Sequence, residues 1–189
     1  MRVIAGRAKG RKLKMRDDLP IRPTSDKVKG AVFNTLAPWL LDSSFLDLFA
    51  GSGAMGIEAW SRGASSVTFV EKNRRSFQLL KQNLQLVGFE TAECLLSDFR
   101  QAAQRLEGRR FDLIYADPPY EAQLYAEILE VVVRHSLLSE DGRLCVEHPR
   151  TLSLELTPDW LEHATKTYGD TRVSYLMRRE PSGESSLSR

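Results

Sequence analysis

The sequence predicts an α/β domain: a mostly parallel sheet with helices on both faces and an antiparallel hairpin at its C-terminal end. Three observations carry that expectation. From Ser44 onward, short apolar runs alternate with amphipathic stretches, the pattern of repeated strand-helix units. A glycine-rich turn, Gly51-Ser52-Gly53-Ala54-Met55-Gly56, stands between the first run and the first such stretch. Near the end, His163–Tyr168 and Arg172–Met177 flank Gly169-Asp170, as the strands of a hairpin would.

The elements follow in order. Residues 1–23 carry eight Lys or Arg against two Asp, a surplus of +6 in a chain whose net charge is +2. This segment is expected to be a basic arm, and the remaining body is mildly acidic. Such an arm suits a polyanionic partner, although a solvated basic tail has the same composition. Thr24 or Ser25 is placed to cap a helix with Val28, Val32, Phe33 and Leu36 on its apolar face, ending near Ala37 ahead of Pro38. Strands are expected at Phe45–Phe49, Val67–Val70, Cys94–Leu96, Phe111–Ala116 and Leu144–Val146. Helices are expected at Ala54–Arg62, around Phe77–Val87 and at Gln123–His135. Residues 24–180 form one expected domain, and the Ser-rich residues 181–189 a disordered tail.

Composition narrows the classes. With 42% hydrophobic residues the chain can bury a core. No apolar run approaches the roughly 20 residues of a membrane span, and no signal peptide is visible, so a cytoplasmic protein is expected. Cys94 and Cys145 have neither metal nor redox spacing, and His135, His148 and His163 are scattered. No metal site is expected. His148 follows the fifth strand and reads as a surface histidine.

The glycine loop has the G-x-G-x-x-G spacing, and Glu71 lies 20 residues after Gly51, where a carboxylate can grip ribose hydroxyls. Taken alone, this fits NAD as well as S-adenosylmethionine. Asp47 shifts the balance. It precedes Gly51 by four positions in Asp-Leu-Phe-Ala-Gly-Ser-Gly. A carboxylate there repels a pyrophosphate but attracts a sulfonium and an ammonium. Asp98, at the end of the third strand, can accept from an adenine amine while the Phe99 amide contacts the ring. It can equally cap the helix that begins near Phe99.

Asp117-Pro118-Pro119-Tyr120 follows the fourth strand. Two prolines fix the backbone and remove two N–H donors, leaving a surface of acceptors. If the Asp117 carboxylate and the Pro118 carbonyl each accept one hydrogen of an exocyclic amine, its lone pair is directed at a methyl donor, and much of the rate comes from positioning. Tyr120 offers a face on which a flipped base can stack.

These features together resemble the class I, S-adenosylmethionine-dependent methyltransferases. Met1-Arg-Val-Ile-Ala-Gly-Arg-Ala-Lys-Gly-Arg-Lys-Leu, Arg22-Pro-Thr-Ser-Asp-Lys-Val-Lys and Phe33-Asn34 make the resemblance more specific: the chain is similar to the RsmD family over about residues 1–180. That resemblance implies a Rossmann-like, seven-stranded sheet with a small N-terminal hairpin extension. It implies methylation of N2 of guanine 966 in 16S ribosomal RNA, within the small subunit or an assembly intermediate. It assigns Asp47, Phe49, Gly51, Gly53, Glu71, Asp98 and Phe99 to the cofactor, and Asp117, Pro118, Pro119 and Tyr120 to the base and its chemistry. Arg2, Arg7, Lys9, Arg11, Lys12, Arg22 and Thr24 are the expected nucleic-acid contacts, since basic residues among small ones meet phosphates without reading sequence. A monomer is expected. The competing readings are a DNA adenine-N6 methyltransferase, which usually needs a separate base-reading region, and an NAD-dependent oxidoreductase, which Asp47 disfavours.

Overall fold

The computed structural model describes residues 1–15, 26–119 and 122–179. Five helices and seven strands alternate: α1 (Asp26–Leu40), β1 (Ser44–Asp47), α2 (Ala54–Ser61), β2 (Ser66–Glu71), α3 (Arg74–Val87), β3 (Glu93–Leu96), α4 (Phe99–Arg105), β4 (Phe111–Ala116), α5 (Ala122–Arg134), β5 (Leu138–Pro149), β6 (Trp160–Tyr168) and β7 (Thr171–Arg178). The strands form one seven-stranded sheet in the order β3-β2-β1-β4-β5-β7-β6. Pairing is parallel from β3 through β5 and antiparallel at β5–β7 and β7–β6. This is the Rossmann-like class I methyltransferase architecture with its C-terminal antiparallel hairpin.

Strand alternation divides the core between the two faces. Phe45, Phe69, Leu113, Tyr115 and Cys145 pack with Val32, Phe33 and Leu36 of α1, Ile57 of α2 and Leu80 and Leu84 of α3. Leu46, Val70, Ile114 and Val146 pack on the other face with Phe99 and Ala102 of α4 and Ile128, Leu129 and Val132 of α5. Local chemistry sets the helix ends. Asn73 caps α3 by accepting from the Arg75 and Ser76 N–H groups at 3.0 and 3.1 Å. Gly88 closes the same helix in the left-handed conformation, φ 77°.

The structure departs from the sequence expectation at three places in this frame. α1 runs through Pro38 to Leu40 rather than ending at Ala37. Proline near the C-terminal end forfeits one helical hydrogen bond, and Leu40 is buried against the core. β5 begins at Leu138, ahead of the polar Ser139-Glu140-Asp141-Gly142 that masked it, and its pairing with β4 is irregular between Phe111 and Leu113. His148 is buried, not on the surface. Its ring nitrogens lie 3.1 Å from the Pro149 carbonyl and 3.0 Å from Ser174 Oγ, so β5 and β7 satisfy both.

The basic N-terminal segment is built into the domain. Arg2 and Lys12 form an antiparallel bridge, closed by Val3 N–H donating to Arg11 O at 2.9 Å and Leu13 N–H to Met1 O at 3.0 Å. Val3, Ala8 and Leu13 belong to the core of the α1–α3 face. Their intervening basic side chains, Arg2, Arg7, Lys9, Arg11 and Lys12, are exposed. Among the described residues no helix is long and apolar enough to cross a membrane.

Candidate active site

Strand order reverses between β1 and β4, and the crevice beyond their C-terminal ends is where a doubly wound sheet binds its ligand. Asp47 ends β1 and Asp117 follows β4, so the two carboxylates stand at this switch point. Glu71 ends β2, and Ser97-Asp98 follows β3. The residues selected from sequence therefore converge on one edge of the sheet. Tyr120, Arg22 and Thr24 lie outside the described residues.

The loop that joins β1 to α2 is held from several sides. Ala50 N–H donates to Val70 O at 2.8 Å, and Gly51 N–H donates to Glu71 Oε2 at 2.7 Å. The second Glu71 oxygen accepts from Asn73 N–H at 2.6 Å. Gly53, at φ 82°, precedes α2, and a Cβ there would lie 2.3 Å from Leu80 Cδ1. A Cβ on Gly56 would lie 2.2 Å from the Phe69 ring. The last glycine of the loop thus lets α2 rest directly on β2, one of the uses this spacing serves.

Asp47 is 2% exposed, and its Oδ2 accepts from Gly56 N–H at 3.0 Å. Burial pushes its carboxyl from 3.8 up to about 7, against the pull of the Gly56 N–H; the nearby Glu71 adds to the rise. Such a carboxylate is completed by a cation. Asp117 is half-buried, Pro118 buried and Pro119 exposed. Burial raises the Asp117 carboxyl well above the usual range, and the charges of Glu147 and Asp47 raise it further.

Asp98 takes the capping role in this structure. Its side chain caps α4, accepting from Arg100 N–H at 3.0 Å, and the Arg100 guanidinium lies 3.3 Å away. Arg100 also pairs with Glu127 of α5. Phe49 and Phe99 pack ring against ring at 5.2 Å between centroids, beside this corner of the crevice.

Acceptors thus line the pocket: Asp47 toward the glycine loop, Glu71 at the second strand, Asp98 at the third. This set fits S-adenosylmethionine, whose sulfonium, ribose hydroxyls and adenine amine are respectively a cation and donors. It suits a pyrophosphate poorly, because a buried carboxylate faces the loop.

Several residues not selected from sequence are part of the same assembly. Glu58 of α2 is wholly buried and accepts from the Ile4 and Ala5 N–H groups at 2.8 and 3.0 Å. It also pairs with buried Lys29 at 3.3 Å and with Arg62 at 2.7 Å. Asn83 of α3 donates to Ser52 O in the glycine loop at 2.9 Å. It also exchanges bonds with the Lys14 backbone at 2.8 and 3.0 Å. One side chain therefore ties the N-terminal hairpin to the cofactor loop. Glu147 of β5 is 5% exposed and accepts from the Tyr115 hydroxyl. Its only signal in the sequence is an acid in the apolar run Leu144-Cys145-Val146-Glu147.

Of the expected nucleic-acid contacts, Arg2 lies 3.4 Å from Asp26, and Arg7 sits over the Trp60 ring at 5.0 Å. Lys9, Arg11 and Lys12 extend the same exposed strip.

Comparison with known proteins agrees with this geometry. A family model described as "Conserved hypothetical protein 95" matches residues 1–177. "Ribosomal RNA small subunit methyltransferase D" of Escherichia coli strain K12 is 35% identical over 187 residues, covering 98% of this chain and 93% of the relative. The protein of the same name from Haemophilus influenzae is 35% identical over 174 residues, covering 89% of each. The solved structure of yhhF from Escherichia coli, a candidate methyltransferase, matches with a TM-score of 0.84 at 33% identity, covering 94% of this chain and 97% of that one.

Proposed function

The chain belongs to the RsmD family of S-adenosylmethionine-dependent ribosomal RNA methyltransferases, and on that premise we propose that it methylates the exocyclic N2 of a guanine in 16S ribosomal RNA. The observation that carries this reading is the placement of both Asp47 and Asp117 at the C-terminal strand ends of the sheet's reversal point. One carboxylate serves a cationic donor, the other an amine.

When bound, S-adenosylmethionine supplies a methyl group activated by positive sulfur. Asp47 holds the cationic end, Glu71 the ribose and Asp98 the adenine amine. Asp117 and the Pro118 carbonyl each accept one hydrogen of the guanine N2. That pull localises the nitrogen lone pair, which is otherwise spread into the ring. The amine proton released after transfer passes to Asp117, whose carboxyl burial holds well above the ordinary carboxylate range.

The substrate in this reading is RNA within the small subunit or an assembly intermediate, met by a cytoplasmic monomer. The exposed strip Arg2, Arg7, Lys9, Arg11 and Lys12 supports it, because such a strip meets phosphates without selecting bases. Arg22 and Thr24 are assigned to the same contact, and Tyr120 to stacking on the base.

The test is transfer of labelled methyl from S-adenosylmethionine to small subunits from cells lacking this protein, with duplex DNA in parallel. Label at guanine N2 in the subunits is the expected result. Label in DNA with none in the subunits would overturn the proposal.

A further inference from the structure

We infer that Glu147 is a base-specificity residue, accepting the guanine N1–H while Asp117 and the Pro118 carbonyl hold the N2 amine. The inference rests on the proposed guanine substrate and adds a residue that reads it.

Placement comes from strand register. Ala116 of β4 pairs with Val146 of β5, so the following positions, Asp117 and Glu147, are side by side at the crevice end. Asp47 of β1 pairs with Tyr115 of β4, and Tyr115 precedes Asp117 by two residues. Side chains two apart on a strand share a face. The Tyr115 hydroxyl donates to Glu147 Oε2, which places the Glu147 carboxyl on that same face. Three carboxyls and a phenol therefore meet on one side of the sheet.

Their chemistry is one-sided. Among the described residues none of Asp47, Asp117 and Glu147 forms an ion pair. Asp47 is answered by the cofactor. Among the described residues the Tyr115 hydroxyl is the side-chain donor to Glu147, and Asp117 and the Pro118 carbonyl, at the start of a Pro-Pro turn, add further acceptors beside it. A buried acceptor left without a donor is unfavourable. A substrate edge that brings several donors, more than one amine's worth, matches this set.

Guanine does so. Its N1–H and one N2 hydrogen lie side by side on one edge, and the second N2 hydrogen points toward the N3 side, within reach of a separate acceptor. Adenine and cytosine carry an amine beside a bare ring nitrogen, whose lone pair would face the Glu147 carboxylate. The Tyr115 hydroxyl occupies one Glu147 oxygen and fixes its orientation, leaving the other for the base. Burial raises the Glu147 carboxyl, and the Tyr115 hydrogen bond opposes that rise. The same pair excludes an adenine-N6 substrate, which the Asp-Pro-Pro-Tyr segment alone does not.

The test uses reconstituted small-subunit particles carrying either guanine or 2,6-diaminopurine at the target position. The analogue keeps the N2 amine but has a bare N1. The wild-type protein is expected to methylate the analogue roughly tenfold to a hundredfold more slowly. In Glu147→Gln, whose amide can donate to a bare N1, that preference is expected to shrink by at least about tenfold, with cofactor binding by calorimetry unchanged. An unchanged preference in Glu147→Gln would overturn the assignment. Equal rates on the two bases with wild-type protein would overturn it without any variant, so a folding defect in Glu147→Gln does not leave it open. No transfer to guanine particles by wild-type protein would instead defeat the proposed function itself.

Discussion

Glu71 holds the glycine loop by its backbone: the carboxylate at the end of β2 accepts from Gly51 N–H at 2.7 Å and from Asn73 N–H at 2.6 Å. The residue expected to grip the ribose is thus also the residue that shapes the loop beneath it. Glu71→Ala is expected to weaken S-adenosylmethionine binding by on the order of 10- to 100-fold, since a charged hydrogen bond contributes about 1.5–3 kcal/mol. Titration calorimetry measures this, and unchanged affinity would detach Glu71 from the cofactor.

Asp117 touches the amine and not the cofactor in the proposed geometry. Asp117→Ala should retain cofactor affinity and lose methyl transfer by on the order of 10²-fold or more, the range of a positioned proton acceptor. Single-turnover transfer to small subunits, read beside calorimetry, separates the two. Full activity in the variant would remove Asp117 from the mechanism.

Asp47 gives the protein a pH dependence whose sign is fixed by the direction of its shift. Its carboxyl stands at about 7 in the folded chain against 3.8 unperturbed. A group raised on folding contributes stability that is full below 3.8 and lost as pH rises through about 7. Without cofactor, the protein should therefore lose stability from pH 4 toward 7, by up to about 1.4 kcal/mol per pH unit from this group. Asp47→Asn should flatten that slope in thermal denaturation. Cofactor affinity should run the opposite way, rising with pH as the carboxylate forms and levelling above 7. A pH-independent affinity would contradict the cation-binding role.

Glu58 is the buried centre of the N-terminal attachment. Glu58→Gln removes a charge facing Lys29, with both side chains wholly buried. Breaking one half of a buried pair costs about 3–5 kcal/mol. Chemical denaturation should show that loss, and limited proteolysis should cleave within residues 1–15 sooner than in wild type. Equal protease resistance would mean the hairpin is held elsewhere.

The frame was legible in the sequence because its signals are local. Short runs of three to six residues, the glycine loop and Gly169-Asp170 each occupy a short window, and each describes the element it forms. Asp47, Glu71, Asp98 and Asp117 were legible for a related reason: each follows or ends a strand, and parallel strands deliver their C-terminal ends to one edge. Glu147 was not, because its significance depends on β5 lying beside β4 in a register no local pattern records. Glu58 and Asn83 were hidden likewise, since a Glu and an Asn on amphipathic helices read as solvent-facing until the hairpin is seen against them. His148 was misread because the partner that satisfies it, Ser174, is 26 residues away on a strand that pairs antiparallel.

The docked hairpin also constrains the order in which the protein can be completed during its own synthesis. Val3, Ala8 and Leu13 are made well before the groups that receive this segment, which lie far downstream. Ala5 waits for Glu58, 53 residues on, and Lys14 waits for Asn83, 69 residues on. At translation speeds of about 5–20 residues per second, that is roughly 3 to 14 seconds with the first segment made and its seat missing. A piece of the hydrophobic core is therefore without its seat until α3 has been made.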